Sequence, residues 1–164
     1  MTGSVAFLRR LVSPRRGAPL RGTGAIIELL VRVGLAGLLA WIGYIHLHLW
    51  QEGYRHIPTN GPLFLLDAIA AFVLAAALLA WPRPLAGLLA AGFTASTIGA
   101  LVISLIVGLF GFKESISASY VVESLIIESI TVLALAAWTV FAAARVLPAN
   151  SRDGRPERHA KAAA

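Results

Sequence analysis

Four long apolar runs decide what this chain can fold into: about residues 25–49, 63–81, 85–112 and 120–147. Each is long enough to cross a hydrocarbon core of ~30 Å, which takes ~20 helical residues. Backbone groups in lipid must be satisfied within their own segment, so runs this rich in Ala, Leu and Ile read as helices. A transmembrane barrel would need shorter, alternating segments, and the sequence has none. Only 13% of the residues are charged, against roughly a quarter in a soluble domain. The expected fold is all-α: an integral membrane, up-down four-helix bundle spanning 23–147, between a basic segment at 1–22 and a basic tail at 148–164.

Charge sets the expected orientation. Arg9, Arg10, Arg15, Arg16 and Arg21 precede the first run, and Arg83 sits between the second and third. Arg145, Arg152, Arg155, Arg158 and Lys161 end or follow the last, while the two opposite connections hold only Arg55 and Lys113. The positive-inside bias puts both termini in the cytoplasm and the protein in the cytoplasmic membrane. The net charge of +6 suits anionic headgroups of the lipid bilayer. No base-reading motif or stacking platform accompanies it, so no nucleic-acid partner is expected. Arg9 and Arg10 resemble a twin-arginine export signal, but the following run is a full-length span without a small-residue cleavage site. The chain has no cysteine, which excludes disulfides, thiolate metal sites and thiol nucleophiles.

The short connection at 81–84 is expected to make spans two and three antiparallel neighbours. Gly92, Ser96, Ala100, Ser104 and Gly108 recur every four residues. Such a ridge of small side chains suits close helix packing in lipid.

The polar residues inside the runs are few. Counted at ~1.5 Å per residue, His46, Asp67, Glu123 and Glu128 all fall in the outward half of the bundle, on three helices. Asp67 and Glu123 lie near helix N-termini, where the dipole favours negative charge. Glu128 lies close to mid-membrane, where a carboxylate is costly. With Ser124 and Thr131 it forms a stripe at helical spacing that should face the interior. It is either protonated and hydrogen-bonded across helices or meets a cation. At the inward end Glu28 and Arg32, spaced i, i+4, suit a helical ion pair.

Between the first two runs, residues 45–62 contain three of the four histidines. His48 and Glu52 share a helix face, and His56 joins them if the helix continues, giving an outer-surface candidate for zinc or copper. The alternative is an interfacial belt of His, Trp and Tyr. His46 points the other way and is the one histidine placed to look inward. No cofactor follows from these residues. Haem is disfavoured because spans two to four lack histidine, and a di-iron site because paired Glu-x-x-His sequences are missing. No GxSxG, Walker A or GxGxxG motif occurs.

The first span, with Arg32-Val-Gly34, Trp41-Ile-Gly43 and His46-Leu47, resembles the first helix of DoxX-like membrane proteins. That family usually has lysine where His46 stands. The runs GYRHIPTNGPLFLLDA and GLFGFKES are similar to uncharacterised actinobacterial integral membrane proteins. The resemblance implies a small four-helix membrane protein, in some relatives associated with quinone-linked or redox-stress complexes. Two functions are therefore expected. The first is an accessory or assembly protein without its own catalysis, with a membrane protein partner or as a homo-oligomer. The second is a redox or ion- and proton-handling protein using His46, Asp67, Glu123 and Glu128. A purely structural role for these four groups is the third reading.

Overall fold

The computed structural model describes residues 22–146, so the expectations for the basic segments at the two ends lie outside the described residues. Four helices follow one another: α1 Thr23–Glu52, α2 Asn60–Ala80, α3 Pro84–Ile106 and α4 Val121–Val146. All four are long and apolar enough to cross a membrane. The surface agrees with that reading, because Leu30, Val73, Leu133 and Val140 are each at least 60% exposed. Such a girdle would be costly in water and is cheap in lipid. At 30 residues, α1 is about 45 Å long and exceeds a ~30 Å hydrocarbon core.

The helix ends follow local chemistry. Gly53 stops α1 at φ 149° while its N–H bonds back to the Leu49 carbonyl. Pro82 and Pro84 confine the next reversal to residues 81–84, with Pro84 opening α3, a position where its missing N–H costs nothing.

The third helix ends at Ile106 rather than near 112. Gly108, Phe110 and Gly111 all take positive φ, and Leu109 and Phe112 exchange backbone hydrogen bonds of 2.7 and 2.9 Å. Two successive positive-φ residues are the mark of a primed hairpin turn. The apolar character of Leu109, Phe110 and Phe112 makes this turn look like more span. The Glu114 N–H then donates to the Ser104 carbonyl at 3.2 Å, folding the connection back over the bundle.

Each helix touches the two beside it in chain order around the bundle, and among the described residues the diagonal pairs do not meet. The closest packing is within the α1–α2 and α3–α4 hairpins; α2 and α3, despite their tight turn, touch more lightly. A short turn constrains only the helix ends, whereas close approach needs small residues along the helices. Gly43 lies against Ala68 and Ala71, where an added Cβ would come within 3.2 Å. Gly87 lies under the Trp138 ring, where an added Cβ would come within 2.8 Å.

The expected every-fourth ridge on α3 is not the packing face. Gly92 and Ser96 are exposed, and a Cβ on Gly92 would meet nothing. A strict four-residue step drifts about 40° per step around a straight helix. The buried line instead runs through Gly87, Ala90, Thr94, Thr97 and Ser104, where steps of three turn the other way and offset the drift of steps of four.

The bundle has two unlike halves. Near the 81–84 turn, Leu39, Leu78, Ala86, Ala90, Leu135 and Trp138 form an apolar core. Toward the 53–59 and 107–120 connections the buried positions become polar: His46, Thr97, Ser104, Ser124 and Glu128.

Candidate functional site

The polar half encloses a cavity of about 100 Å³. His46 from α1, Asp67 from α2 and Glu128 from α4 all line it, together with Thr97 of α3. Three of the four residues expected to act together are therefore gathered. Asp67 is within electrostatic reach of both His46 and Glu128.

His46 is buried, with Nδ1 2.9 Å from the Ile42 carbonyl one turn back. A carbonyl can only accept, so Nδ1 carries a hydrogen and Nε2 is an acceptor whenever the ring is neutral. The Phe64 ring packs against the imidazole at 5.4 Å.

Glu128 is 2% exposed, and Ser124 and Thr131 of the same stripe are buried beside it. Its partner is Thr97, whose Oγ1 is 3.0 Å from Oε2 of Glu128 and 2.8 Å from the Thr94 carbonyl. One hydroxyl hydrogen thus has two acceptors in reach. Thr97 donates to an ionised Glu128, or it donates to the Thr94 carbonyl and accepts from a protonated Glu128. The hydrogen bond between Thr97 and Glu128 can thus persist in either protonation state without moving a heavy atom.

The connections roof the cavity. Tyr54 donates its hydroxyl to Oε2 of Glu114 at 2.6 Å, and the Ser115 N–H donates to Oε1 at 3.0 Å. The Tyr54 ring packs on Phe64 at 4.6 Å and edge-on to Phe112 at 5.8 Å. Burial pushes the Tyr54 phenol well above its ordinary range, and the hydrogen bond to Glu114 and its charge add to the effect. Asn60, 6% exposed, also lines the cavity, and its Oδ1 is a buried acceptor without a partner.

No family model matches this chain, and no curated protein or solved structure matches it either. Its chemistry must be read from its own residues.

The remaining sequence candidates lie elsewhere. Glu123 stands apart from the cavity, accepting from the indole Nε1 of Trp41 at 3.0 Å on the outside of the bundle. Five residues from Glu128, it lies about 140° around the helix. His48 and Glu52 do pair, at 3.2 Å, but His56 does not join them. The helix breaks at Gly53, and His56 instead receives a hydrogen bond from Nε of Arg55 at 3.1 Å. Among the described residues no three His, Asp or Glu side chains come together to hold a metal. His48 belongs to an aromatic ladder, stacked on Tyr44 at 5.6 Å and edge-on to Tyr120 at 5.4 Å.

Nor do Glu28 and Arg32 pair with each other. Glu28 takes Nη1 of Arg145 at 2.8 Å, across from α1 to α4. Arg32 donates to the Leu79 carbonyl at 3.2 Å, at the C-terminal end of α2 where carbonyls lack helical partners and favour a cation. A partner on another helix wins at both positions.

Asn60, Thr97 and Glu114 escape the reading of the sequence, which takes Tyr54 only for an interfacial belt residue. Thr97 had the most visible signal, a hydroxyl on α3 near the depth of Glu128. The pairing of Tyr54 with Glu114 had none, since they are 60 residues apart on separate connections.

Proposed function

We propose that this chain is a multi-pass protein of the cytoplasmic membrane, both termini inside, that takes up and releases protons or small cations through its outward-facing chamber. The arginine distribution supports the orientation. The observation that carries the function is the Thr97 switch, which accommodates Glu128 in either protonation state. His46 and Asp67 line the same chamber as Glu128, and Tyr54, Glu114 and Tyr120 line it as well. Buried ionisable groups inside a membrane bundle mark proton and ion paths. The DoxX-like resemblance of α1 suits a redox-linked membrane setting, in which proton uptake accompanies electron transfer.

Infrared titration of the protein in lipid tests this reading. A buried carboxyl band that follows external pH, and that Glu128→Gln removes while helical circular dichroism persists, is the expected result. A titration identical in wild type and Glu128→Gln would refute it.

A second reading, an accessory subunit, is favoured by exposed apolar side chains at the chamber end: Val107, Phe110 and Ile116 are 58–74% exposed. On that reading Phe110→Ser loses a co-purifying membrane protein while the carboxyl titration is unchanged.

A further inference from the structure

At the end of the bundle away from the chamber, α1 and α4 part. They touch more lightly than the helices of either hairpin, and a groove of about 940 Å³ opens between them. Leu35 and Trp138, both buried, lie at its base, and Gly34, Leu38, Ala134 and Ala137 also line it. The space comes from missing side chains. A Cβ on Gly34 would meet nothing within 4 Å, and two of the α4 residues facing the groove are alanines.

Below its charged mouth the groove is one leaflet deep. Ten residues separate Glu28 from Leu38, and eleven separate Ala134 from Arg145. Each side therefore runs about 15–17 Å, half of a ~30 Å hydrocarbon core. Beyond Leu38 the hydrogen bond from Trp41 to Glu123 ties α1 to α4. A helix of a second copy would run the full depth of the core, whereas an acyl chain ends at the midplane. In a bilayer no water fills such a groove, so hydrocarbon must.

The mouth says which lipid fits. Glu28 and Arg145 stand there 2.8 Å apart, both partly exposed. Nη1 of Arg145 meets Oε2 of Glu28, and among the described residues the other guanidinium nitrogens and Oε1 of Glu28 have no partner. The guanidinium lies over the Phe141 ring at 4.0 Å. Its remaining N–H groups match a phosphate, and basic pockets between transmembrane helices bind lipid headgroups. The open carboxylate oxygen calls for a donor beside that phosphate, best a cationic one. Phosphoethanolamine carries both groups. Phosphocholine has no N–H, and phosphoglycerol has no cation.

We propose that this groove seats one phosphatidylethanolamine molecule from the leaflet on the side of the 81–84 turn. Its phosphate sits on Arg145, its ammonium on Glu28, and one acyl chain lies between Gly34 and Ala137 with the other in the surrounding bilayer. The site is independent of the chamber and of the proton-handling reading.

The test places the full chain in nanodiscs of equal parts dioleoyl phosphatidylethanolamine, phosphatidylcholine and phosphatidylglycerol. Native mass spectrometry then counts the lipids that stay bound on release. One phosphatidylethanolamine per chain is expected, favoured over phosphatidylcholine by about tenfold, as for loss of a charged hydrogen bond. Glu28→Gln should remove that preference while a lipid still binds. Gly34→Leu and Ala137→Leu, which put side chains into the open groove, should lose the retained lipid while helical circular dichroism persists; if one fails to fold, the other carries the test. Equal retention of the three headgroups by the wild type, a preference unchanged in Glu28→Gln, or retained lipid unchanged in the groove-filling variants overturns the assignment. So does a lipid-free mass of two chains that Gly34→Leu returns to one, which gives the groove to a second copy.

Discussion

The same four helices build two opposite interiors. Beside the 81–84 turn they close on Leu39, Leu78, Leu135 and Trp138, with Gly87 letting α3 slide under the indole. Beside the long connections they hold His46, Asp67 and Glu128 around an open chamber. Each half uses a different means of bringing helices together. In the first, van der Waals contact between large and small side chains does the work, since lipid offers no hydrophobic drive between helices. In the second, hydroxyls and carboxyls satisfy one another across helices, which limits the cost of burying them but adds little net stability. The apolar half is therefore expected to hold the bundle, and the polar half to be tolerated by it.

The largest expected effect tests the first claim. Trp138→Ala empties the space over Gly87 and should cost about 3 kcal/mol, read as a fall in unfolding midpoint in detergent or lipid. Gly87→Leu attacks the same contact from the other side and should cost about 1–3 kcal/mol by overpacking. If both variants unfold at the wild-type midpoint, the bundle is not held at this end.

The roof should respond next. Tyr54→Phe removes the hydrogen bond to Glu114, which should cost about 1.5 kcal/mol for a charged acceptor. It also alters the pH dependence. Because folding raises the Tyr54 phenol above its ordinary value near 10, the folded state holds this proton more tightly than the unfolded state. The contribution is fully present below pH ~10 and is lost as pH rises beyond it. The wild type should lose stability on going alkaline more steeply than Tyr54→Phe; parallel slopes would mean that the roof pair does not form.

Glu128→Leu sharpens the contrast further. The replacement is close in volume and leaves no orphaned hydroxyl, because Thr97 keeps the Thr94 carbonyl at 2.8 Å. Stability should stay within about 1 kcal/mol of wild type or rise, as when well-packed apolar side chains replace buried polar ones. A loss as large as that of Trp138→Ala would make Glu128 a structural tie and end the functional contrast between the halves.

The sequence made parts of this contrast legible and hid others for physical reasons. Hydropathy locates the four helices because lipid demands long apolar segments whatever their packing. Helical spacing puts Ser124, Glu128 and Thr131 on one buried stripe, and the two-residue separation of His46 and His48 sends one inward and the other outward. What it hides depends on contacts between distant segments. Glu28 meets Arg145 across 117 residues, so the local i, i+4 partner Arg32 is the plausible but wrong choice. Phe112 joins the roof because two positive-φ residues turn the chain there, and hydropathy does not register φ. Glu123 and Glu128 fall in the same half of the bundle but on different faces of their helix, and assignment to a half does not separate them.

The smallest effect marks the boundary of the chamber. His48 lies one position beyond the His46–Leu47 pair, yet it contacts Tyr44, Tyr120 and Glu52 rather than the cavity. Its pairing with a Glu52 side chain that is 54% exposed is of the kind worth roughly 0–1 kcal/mol. His48→Ala should therefore shift stability by no more than about 0.5 kcal/mol and leave the buried carboxyl titration where it was. Mutating Glu52 as well should add almost nothing, with a coupling below about 0.5 kcal/mol in a double-mutant cycle. Loss of the Glu128 titration in His48→Ala would join the aromatic ladder to the proton path, moving the entrance from the roof under Tyr54 to the flank of the bundle beside Tyr44.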